Sequence, residues 1–394
     1  VRAIMRGGNV KRGNLTFLTF LGSPKREVTM SRGRPAAQKM NHFKFTRKDT
    51  TSMSNQAFFR VGLDIGYGYT KLVAEDERAV VLPSVCGYAQ EIKYRADEVA
   101  AKYPGDQITD DYGHWFVGDL ALSQLLPGKI MSLTGRSSDE GEMINAFRQR
   151  MMKVAVGKLL ASQFTDGEAV HLHIATGLPV DHMRDADRLR EGLLGQHHIH
   201  TDCAEMVANV VRVQVMPQPY GTIYSRQITA QGSLDPCYTH KVTGVADMGR
   251  FTFDLTVDND GEYVDFRSGS NEAGVYIVEQ ELAAAIQRDF RFQPSPKLLN
   301  DVLRTKVLRI RGNPVDYRAE VETALKPLRD AALNLMRAKW GNADEVDVIY
   351  LTGGGAHLIY QSVREVYPQT QMVAESAQLD NARGYRNFAL FSAE

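Results

Sequence analysis

The sequence predicts an α/β protein built from two similar domains around a central cleft. Its 394 residues are enough for two domains of roughly 150 residues each. The order strand, strand, strand, helix, strand, helix recurs in both halves, which favours mixed sheets flanked by helices. In each half, a glycine-containing turn that begins with aspartate joins two apolar strands. The recurrence of this turn predicts that phosphate groups are clamped between the domains.

Strands are predicted where β-branched and aromatic residues cluster, and helices where apolar residues recur at helical spacing. The first half then has strands at 58–64, 69–74 and 79–85, a helix at 142–162, a strand at 169–175, a helix at 181–194 and a strand at 207–215. The second half has strands at 241–247, 251–257 and 262–267, helices at 272–290 and 316–340, a strand at 346–352 and a helix at 356–366. We expect one domain at 53–240, completed by a C-terminal helix at 379–394, and a second at 241–378.

The first 52 residues differ from the rest of the chain in charge. They contain 12 of the 47 Lys and Arg residues and only two acids, Glu27 and Asp49. They show neither a helical nor a strand period, so they are predicted to be disordered. They are either upstream sequence, with Met53 as the natural start, or a basic arm that touches nucleic acid or a partner. The remaining chain is acidic, and we expect no direct nucleic-acid contact by this core.

Cysteine usage and hydropathy indicate a cytoplasmic protein. Cys86, Cys203 and Cys237 are scattered and form no CxxC pair, which is typical of a reducing compartment. No apolar run approaches the ~20 residues that span a bilayer, so no membrane partner is expected.

The first motif, at residues 64–71, reads DIGYGYTK. Asp64 ends a buried strand, where an unpaired carboxylate is costly and a divalent cation or its water shell is a natural partner. Gly66 and Gly68 let backbone N–H groups approach phosphate oxygens. Lys71 adds a positive charge on the returning strand. Alone, such a hairpin is commonplace.

The second and third motifs extend this pattern. Residues 247–254 repeat the plan D-x-G-x-x-T-x-D, and residues 349–358 place three glycines between a buried strand and a helix. A helix N-terminus beside glycines favours anions and close ligand approach. The chain lacks G-x-x-x-x-G-K-S/T and the strand–helix G-x-G-x-x-G arrangement, which excludes P-loop and Rossmann sites.

In this order and spacing, the three motifs resemble the phosphate 1, phosphate 2 and adenosine motifs of the actin, heat-shock chaperone and sugar kinase superfamily. The finer resemblance is to the ParM/StbA group, through residues 172–180, 215–221, 269–274 and 381–385. The resemblance implies a two-domain actin-like fold, of the duplicated ribonuclease H-like type, with a central nucleotide cleft. It covers the chain from Val61 onward, sparsely between the motifs.

The resemblance also implies roles for individual residues. Asp64 and Asp247 would hold hydrated Mg²⁺, with Asp247 also near the attacking water. The implied phosphate contacts are Gly66, Gly68, Thr70 and Lys71 from one domain and Gly249 and Thr252 from the other. Arg250 and Phe251 replace the small residues usual in phosphate 2, a departure that bears on how closely this turn approaches the γ-phosphate.

The remaining implied contacts concern the adenosine and the attacking water. The adenosine would lie beside Gly353, Gly354, Gly355 and the helix after Gly274, with Arg304 or Lys306 facing the base or ribose. Gln218 stands where ParM-like proteins often carry Glu and would orient the water; the alternative is that it caps the following helix. A carboxamide cannot accept the water's proton, so its role would be orientation.

The implied function is hydrolysis of ATP (or GTP) with Mg²⁺, coupled to head-to-tail self-assembly into filaments. A DNA-binding adaptor protein is the implied partner, for plasmid segregation. The alternatives are a non-polymerising ATP-binding scaffold of the PilM type and a small-molecule kinase of the same superfamily. His197, His198 and His200 invite a metal interpretation, but their spacing favours a solvated loop.

Overall fold

The computed structural model describes residues 58–133, 141–161, 163, 169–238, 241–372 and 377–392. The predicted disordered segment 1–52 lies outside these residues. Among the described residues, the strands of the first half are β1 (Phe58–Ile65), β2 (Tyr69–Ala74), β3 (Ala79–Pro83), β4 (Val85–Tyr88), β5 (Gln107–Asp110), β6 (Gly113–Val117), β7 (Met131–Ser132), β8 (Ala169–Leu178), β9 (Gly195–His200) and β10 (Glu205–Pro217). Its helices are α1 (Ala96–Lys102), α2 (Gly118–Gln124), α3 (Gly141–Leu160), α4 (Ala186–Leu193) and α5 (Tyr220–Gln227).

The second half has its own set of elements. Its strands are β11 (Val242–Met248), β12 (Phe253–Asn259), β13 (Glu262–Tyr263), β14 (Gly269–Asn271), β15 (Val307–Ile310), β16 (Asn313–Asp316), β17 (Val348–Thr352) and β18 (Thr370–Met372). Its helices are α6 (Val275–Phe290), α7 (Pro296–Thr305), α8 (Arg318–Trp340) and α9 (Ala356–Val366), and the chain continues into α10 (Asp380–Phe391).

Two mixed sheets follow one plan, which confirms the predicted α/β architecture. Sheet 1 has the order β3-β2-β1-β8-β10-β9, and sheet 2 has the order β13-β12-β11-β17-β18. In sheet 1, β1 is antiparallel to β2 and parallel to β8. In sheet 2, β11 is antiparallel to β12 and parallel to β17. Both D-x-G motifs therefore occupy the hairpin beside the central parallel pair.

Alternation along β1 places a helix on each face of sheet 1. Val61 and Leu63 belong to the apolar cluster that includes residues of α3. Gly62 points the other way, toward α10, where an added Cβ would lie 1.8 Å from the carbonyl oxygen of Ala382. Gly384 is as closely packed, since its added Cβ would lie 1.6 Å from the oxygen of Gly221. Glycine at these positions lets α10 reach the floor of the cleft between the sheets.

Several predicted elements differ in the structure. The predicted strand 79–85 is two strands that meet at Ser84, whose N–H donates to the oxygen of Gly68 (3.0 Å). The predicted helix 181–194 begins as a 3-10 turn at Val180–Asp185 and continues as α4. The predicted strand 262–267 stops at Tyr263 and ends in another 3-10 turn.

The prediction of a histidine loop was wrong, because His197, His198 and His200 lie in strand β9. His197 is buried and its Nε2 lies 2.9 Å from the oxygen of Leu193, whereas His198 and His200 are on the exposed face. Burial lowers the pKa of His197. These positions put the rings on opposite faces of the sheet, which is why they do not converge.

Candidate functional site

Two glycine turns face each other across one cleft between sheets 1 and 2. Turn A (residues 66–69) closes with a bond from the N–H of Gly66 to the oxygen of Tyr69 (3.1 Å). Turn B (residues 249–252) closes in the same way, from Gly249 to Thr252 (2.9 Å). Most of the residues predicted to form the site line this cleft, namely Asp64, Gly66, Gly68, Lys71, Gln218, Asp247, Gly249, Thr252, Gly353, Gly354 and Gly355.

Two predicted residues do not line the cleft. The hydroxyl of Thr70 lies 2.9 Å from that of Ser84 and is fully buried, because Thr70 points to the opposite face of β2 from Tyr69 and Lys71. Gly274 precedes α6, where an added Cβ would lie 2.2 Å from the oxygen of Arg250. The absence of a side chain at Gly274 therefore allows the start of α6 to pack directly against turn B.

The base of turn A carries an ion pair. Asp64 and Lys71 are cross-strand partners in the β1–β2 hairpin, and the Lys71 Nζ donates to Oδ2 of Asp64 at 2.8 Å. Asp64 is buried and Lys71 is largely so. An added Cβ on Gly66 would lie 3.2 Å from the Lys71 Nζ, so a side chain there would crowd the ammonium.

The base of turn B carries two acids. Asp247 and Asp254 are cross-strand partners in the β11–β12 hairpin, and both are buried. Burial raises the pKa of Asp247 to about 7, the charges of Asp254 and Asp64 add to the rise, and a hydrogen bond from Asn381 opposes it. Asn381 Nδ2 donates to Oδ2 of Asp247 at 2.7 Å. Burial also raises the pKa of Asp254, whose Oδ2 accepts from the Thr252 hydroxyl at 2.8 Å.

Asp64 and Asp247 are the buried carboxylates of the two turns that could hold a cation in the cleft. Within the described part of the chain, no three His, Cys, Asp or Glu side chains converge into a metal-binding group. Mg²⁺ keeps several waters and commonly takes one or two carboxylates together with substrate phosphates. Burial is the main cause of the raised pKa of Asp247, and Lys71 offsets it only in part, so a cation in the cleft would lower that pKa.

The triple-glycine turn forms another wall of the cleft. Gly353 has φ of 86°, and an added Cβ would lie 2.3 Å from Oδ1 of Asp247, so only glycine fits this position. The N–H of Gly355 donates to the oxygen of Met248 (2.9 Å). An added Cβ on Gly354 would meet nothing within 4 Å, so there is open space beside this residue in the cleft.

Family comparisons agree with this geometry. A family model of the N-terminal domain of actin-like proteins matches residues 62–221, and one of the C-terminal domain of MreB-like archaeal actin homologues matches residues 245–365. Together they cover more than half of the chain. The chain belongs to the actin-like family.

Individual relatives of this actin-like protein cover nearly its whole described length. An archaeal actin homologue of Thermoplasma acidophilum is 25% identical over 340 residues, which are 84% of this chain and 98% of the relative. A 15-stranded ParM filament from Clostridium botulinum has a TM-score of 0.68 and 20% identity, with 85% of this chain and 99% of that chain covered. The structure of an archaeal actin homologue in complex with ADP has a TM-score of 0.63 and 21% identity, and the match covers 84% of this chain and 98% of that chain. This likeness shows the fold, which is the two-domain actin-like fold.

The part of the cleft in which the resemblance places adenosine differs from the expectation. Arg304 pairs with Asp301 (3.4 Å), Lys306 pairs with Glu322 (3.0 Å), and both side chains are exposed. Neither lines the cleft. Helix α7 instead contributes Pro296 and Asn300, and α6 contributes Val275 and Glu279. The carboxamide of Asn300 is therefore the polar group that α7 offers to a ligand.

Gln218 lies in the cleft immediately before α5. Its backbone N–H donates to the backbone oxygen of Leu178 (2.7 Å), and its backbone carbonyl oxygen accepts from the Tyr385 hydroxyl (3.0 Å). The N-cap of α5 is Pro219, and the helix has no side-chain capping hydrogen bond. The backbone of Gln218 is thus fixed by two elements of the actin-like core, and its side chain is not engaged as a helix cap.

Several residues line the cleft that the motifs do not predict as ligand contacts. These are Arg148, Thr176, Asp254, Glu279, Asn300 and Asn381.

Among the described residues, no helix is both long and apolar enough to cross a bilayer.

Proposed function

We propose that this chain binds ATP with Mg²⁺ in the cleft, hydrolyses it, and uses the change to assemble and disassemble head-to-tail filaments. One observation carries the proposal. Turns A and B come from separate sheets, yet they meet in one cleft with Asp64, Lys71 and Asp247 at their bases. Two facing sets of backbone N–H groups suit a chain of phosphates, which spans the cleft and draws the two halves together.

The residues around the cleft divide into phosphate, nucleoside and metal contacts. The amides of turns A and B would bind phosphate oxygens, supported by Lys71 and the Thr252 hydroxyl. The open space beside Gly354, in the cleft that Val275 and Pro296 also line, would receive the planar base. Asn300 can donate to or accept from either adenine or guanine, so we propose ATP or GTP as the nucleotide.

Asp64 and Asp247 would hold Mg²⁺ through its water shell. When bound, the ion neutralises charge on the phosphates and so favours attack by water. Gln218 would orient that water, since its carboxamide can hydrogen-bond the water but cannot accept its proton. Asp247, within the same cleft, offers a second acceptor for the water.

Closure around the triphosphate would favour contact with the next subunit, and loss of the γ-phosphate would favour release. Such an assembly is head-to-tail and does not close into a ring. The ParM filament with the same fold supports this proposal. A DNA-binding adaptor is the proposed partner, with a plasmid as cargo, because the acidic core is unsuited to direct contact with DNA.

The test measures nucleotide binding, phosphate release and light scattering on the full chain with ATP, with and without Mg²⁺. Scattering that rises with ATP·Mg²⁺ and decays with phosphate release supports the proposal. Binding without hydrolysis or assembly would indicate a PilM-type scaffold. Turnover only with an added small-molecule acceptor would indicate a kinase. A chain that binds no nucleotide would refute all three.

Deleting residues 1–52 is expected to leave hydrolysis and assembly unchanged, because the core elements begin at Phe58 and the segment has no core-forming pattern. The measurement compares phosphate release and scattering of the truncated and full chains. Failure of the truncated chain to fold or polymerise would show that the segment is structural.

A further inference from the structure

Arg250 and Phe251 form the tip of turn B, and the tip is held rigidly by α6. The N–H of Val275 donates to the oxygen of Gly249 (3.1 Å), and the N–H of Tyr276 donates to that of Arg250 (2.8 Å). The Phe251 ring packs on the Tyr276 ring with centroids 4.8 Å apart. The backbone of Arg250 is therefore fixed, and its side chain projects into the cleft.

The side chain of Arg250 extends onto turn A. An added Cβ on Gly68 would lie 3.5 Å from Cδ and 3.6 Å from Cβ of Arg250. Beside it, the Phe251 ring makes an edge contact with the Tyr67 ring, with centroids 5.4 Å apart. The aliphatic part of Arg250 thus already rests on the turn whose amides face the phosphates.

The guanidinium of Arg250 is held by Glu279 of α6. Its Nη2 and Nε lie 3.0 Å and 3.3 Å from Oε2 of Glu279, and Glu279 is buried. Since Cβ and Cδ of Arg250 already lie beside turn A, a rotation at the end of the side chain would turn the guanidinium from Glu279 toward turn A. Glu279 also lines the cleft, so hydroxyl groups of a bound sugar can replace the guanidinium as its donors.

The balance of charged side chains in the cleft favours movement of the Arg250 guanidinium toward a bound triphosphate. The described lining side chains include four carboxylates, Asp64, Asp247, Asp254 and Glu279, against the three cations Lys71, Arg148 and Arg250. Lys71 is already paired with Asp64 at 2.8 Å. Because Lys71 is already paired, a terminal phosphate would add to this negative charge, and Arg250 is a lining cation whose side chain lies against turn A. A guanidinium binds phosphate oxygens in a bidentate manner, which an ammonium cannot do.

We infer that Arg250 recognises the terminal phosphate. When a triphosphate is bound, the guanidinium of Arg250 moves away from Glu279 and pairs with the γ-phosphate. When only a diphosphate is present, the guanidinium returns to Glu279. This inference rests on the proposed function. During hydrolysis, water adds to the γ-phosphorus while its bond to the β,γ-bridging oxygen breaks. The leaving diphosphate keeps the electron pair, and the water's proton passes to solvent. Arg250 would neutralise charge on the transferred group throughout this step.

The test compares Arg250→Ala, Arg250→Lys and, as a matched control, Arg288→Ala, which changes an exposed arginine of α6 outside the cleft. Calorimetry with Mg²⁺ measures the Kd of ADP and of the non-hydrolysable analogue AMP-PNP, and steady-state kinetics give kcat and KM. In Arg250→Ala we expect AMP-PNP to bind about 10-fold more weakly, ADP to change less than about 3-fold, and kcat to fall by about 10- to 100-fold. Arg250→Lys should recover part of the AMP-PNP affinity, and Arg288→Ala should match wild type.

Arg250→Ala leaves Glu279 buried without its partner, which can destabilise the fold. The double variant Arg250→Ala/Glu279→Gln removes that charge and should show the same selective loss of AMP-PNP affinity. An equal loss of ADP and AMP-PNP affinity would overturn the inference, because a residue that only holds the cleft closed affects both nucleotides. Unchanged affinities and kcat would overturn it as well. A wild-type chain that binds neither nucleotide would instead refute the proposed function.

Discussion

Replacing Asp247 by Asn is expected to slow ATP hydrolysis by about 10²-fold or more. The substitution keeps the size of the side chain and an oxygen to accept from Asn381, but it removes the negative charge proposed to hold hydrated Mg²⁺ and the better acceptor for water. Phosphate release at saturating ATP and Mg²⁺ measures the effect. Wild-type turnover in this variant would refute the proposed role of turn B.

The same variant is expected to be at least as stable as wild type without nucleotide. Asp247 faces Asp254 across the hairpin, and its pKa is raised to about 7 in the folded protein, against about 4 in an unfolded chain. Folding therefore takes up a proton between these pH values, so the contribution of Asp247 to the free energy of unfolding of wild type rises as pH falls from about 7 toward about 4. Asp247→Asn has no such proton to bind. The difference in Tm between variant and wild type should shrink as pH falls.

Asp258→Asn is the matched control, since Asp258 is another buried acid of the β11–β12 hairpin but does not line the cleft. Its carboxylate accepts from the Tyr220 hydroxyl (3.2 Å) and the Gln227 amide (3.1 Å). We expect this variant to lose stability and to keep most of its hydrolysis. Equal losses of hydrolysis in both variants would mean that Asp247 acts through folding alone.

Much of the cleft could be predicted because its residues lie at strand ends. Asp64 and Asp247 each lie one residue before the end of a strand that leads into a tight turn. The two strands belong to different sheets, so the repeated motif, and not pairing within one sheet, predicts that the two turns face each other. The motif alone predicts Thr70 as a phosphate contact, whereas its hydroxyl is buried against Ser84. Side chains alternate along a strand, so Thr70 cannot face the cleft together with Lys71, and the sequence already contained that signal.

The register of the two hairpins can also be predicted from the sequence. With both turns closed in the same way, Lys71 is the cross-strand partner of Asp64, and Asp254 is that of Asp247. Lys71 and Asp254 thus occupy equivalent positions in the two hairpins and carry opposite charges. As a result, the base of turn A has an ion pair and the base of turn B has two acids. Asn381 could not be found in this way, since α10 reaches Asp247 only through packing. The short strands β4–β7 and the β15–β16 hairpin were missed because they are too short for a clear period.

Replacing Gln218 by Ala is expected to leave ATP affinity close to that of wild type and to slow hydrolysis on the order of 10²-fold. The side chain is proposed to touch only the attacking water, so its loss weakens the transition state without weakening the bound substrate. Its backbone bonds to Leu178 and Tyr385 do not need the carboxamide, so the fold should persist. Calorimetry and phosphate release measure the two effects.

Filaments of this variant should outlast those of wild type, because disassembly is proposed to follow loss of the γ-phosphate. The decay of light scattering after a limited addition of ATP measures their lifetime. Gln227→Ala is a suitable control: Gln227 lies on α5 and donates to Asp258 (3.1 Å), so its loss should lower Tm without selectively slowing hydrolysis. Unchanged phosphate release in Gln218→Ala would reject its role in orienting water. Slow release with short-lived filaments would instead separate hydrolysis from disassembly, because subunits would then leave the polymer with the γ-phosphate still bound.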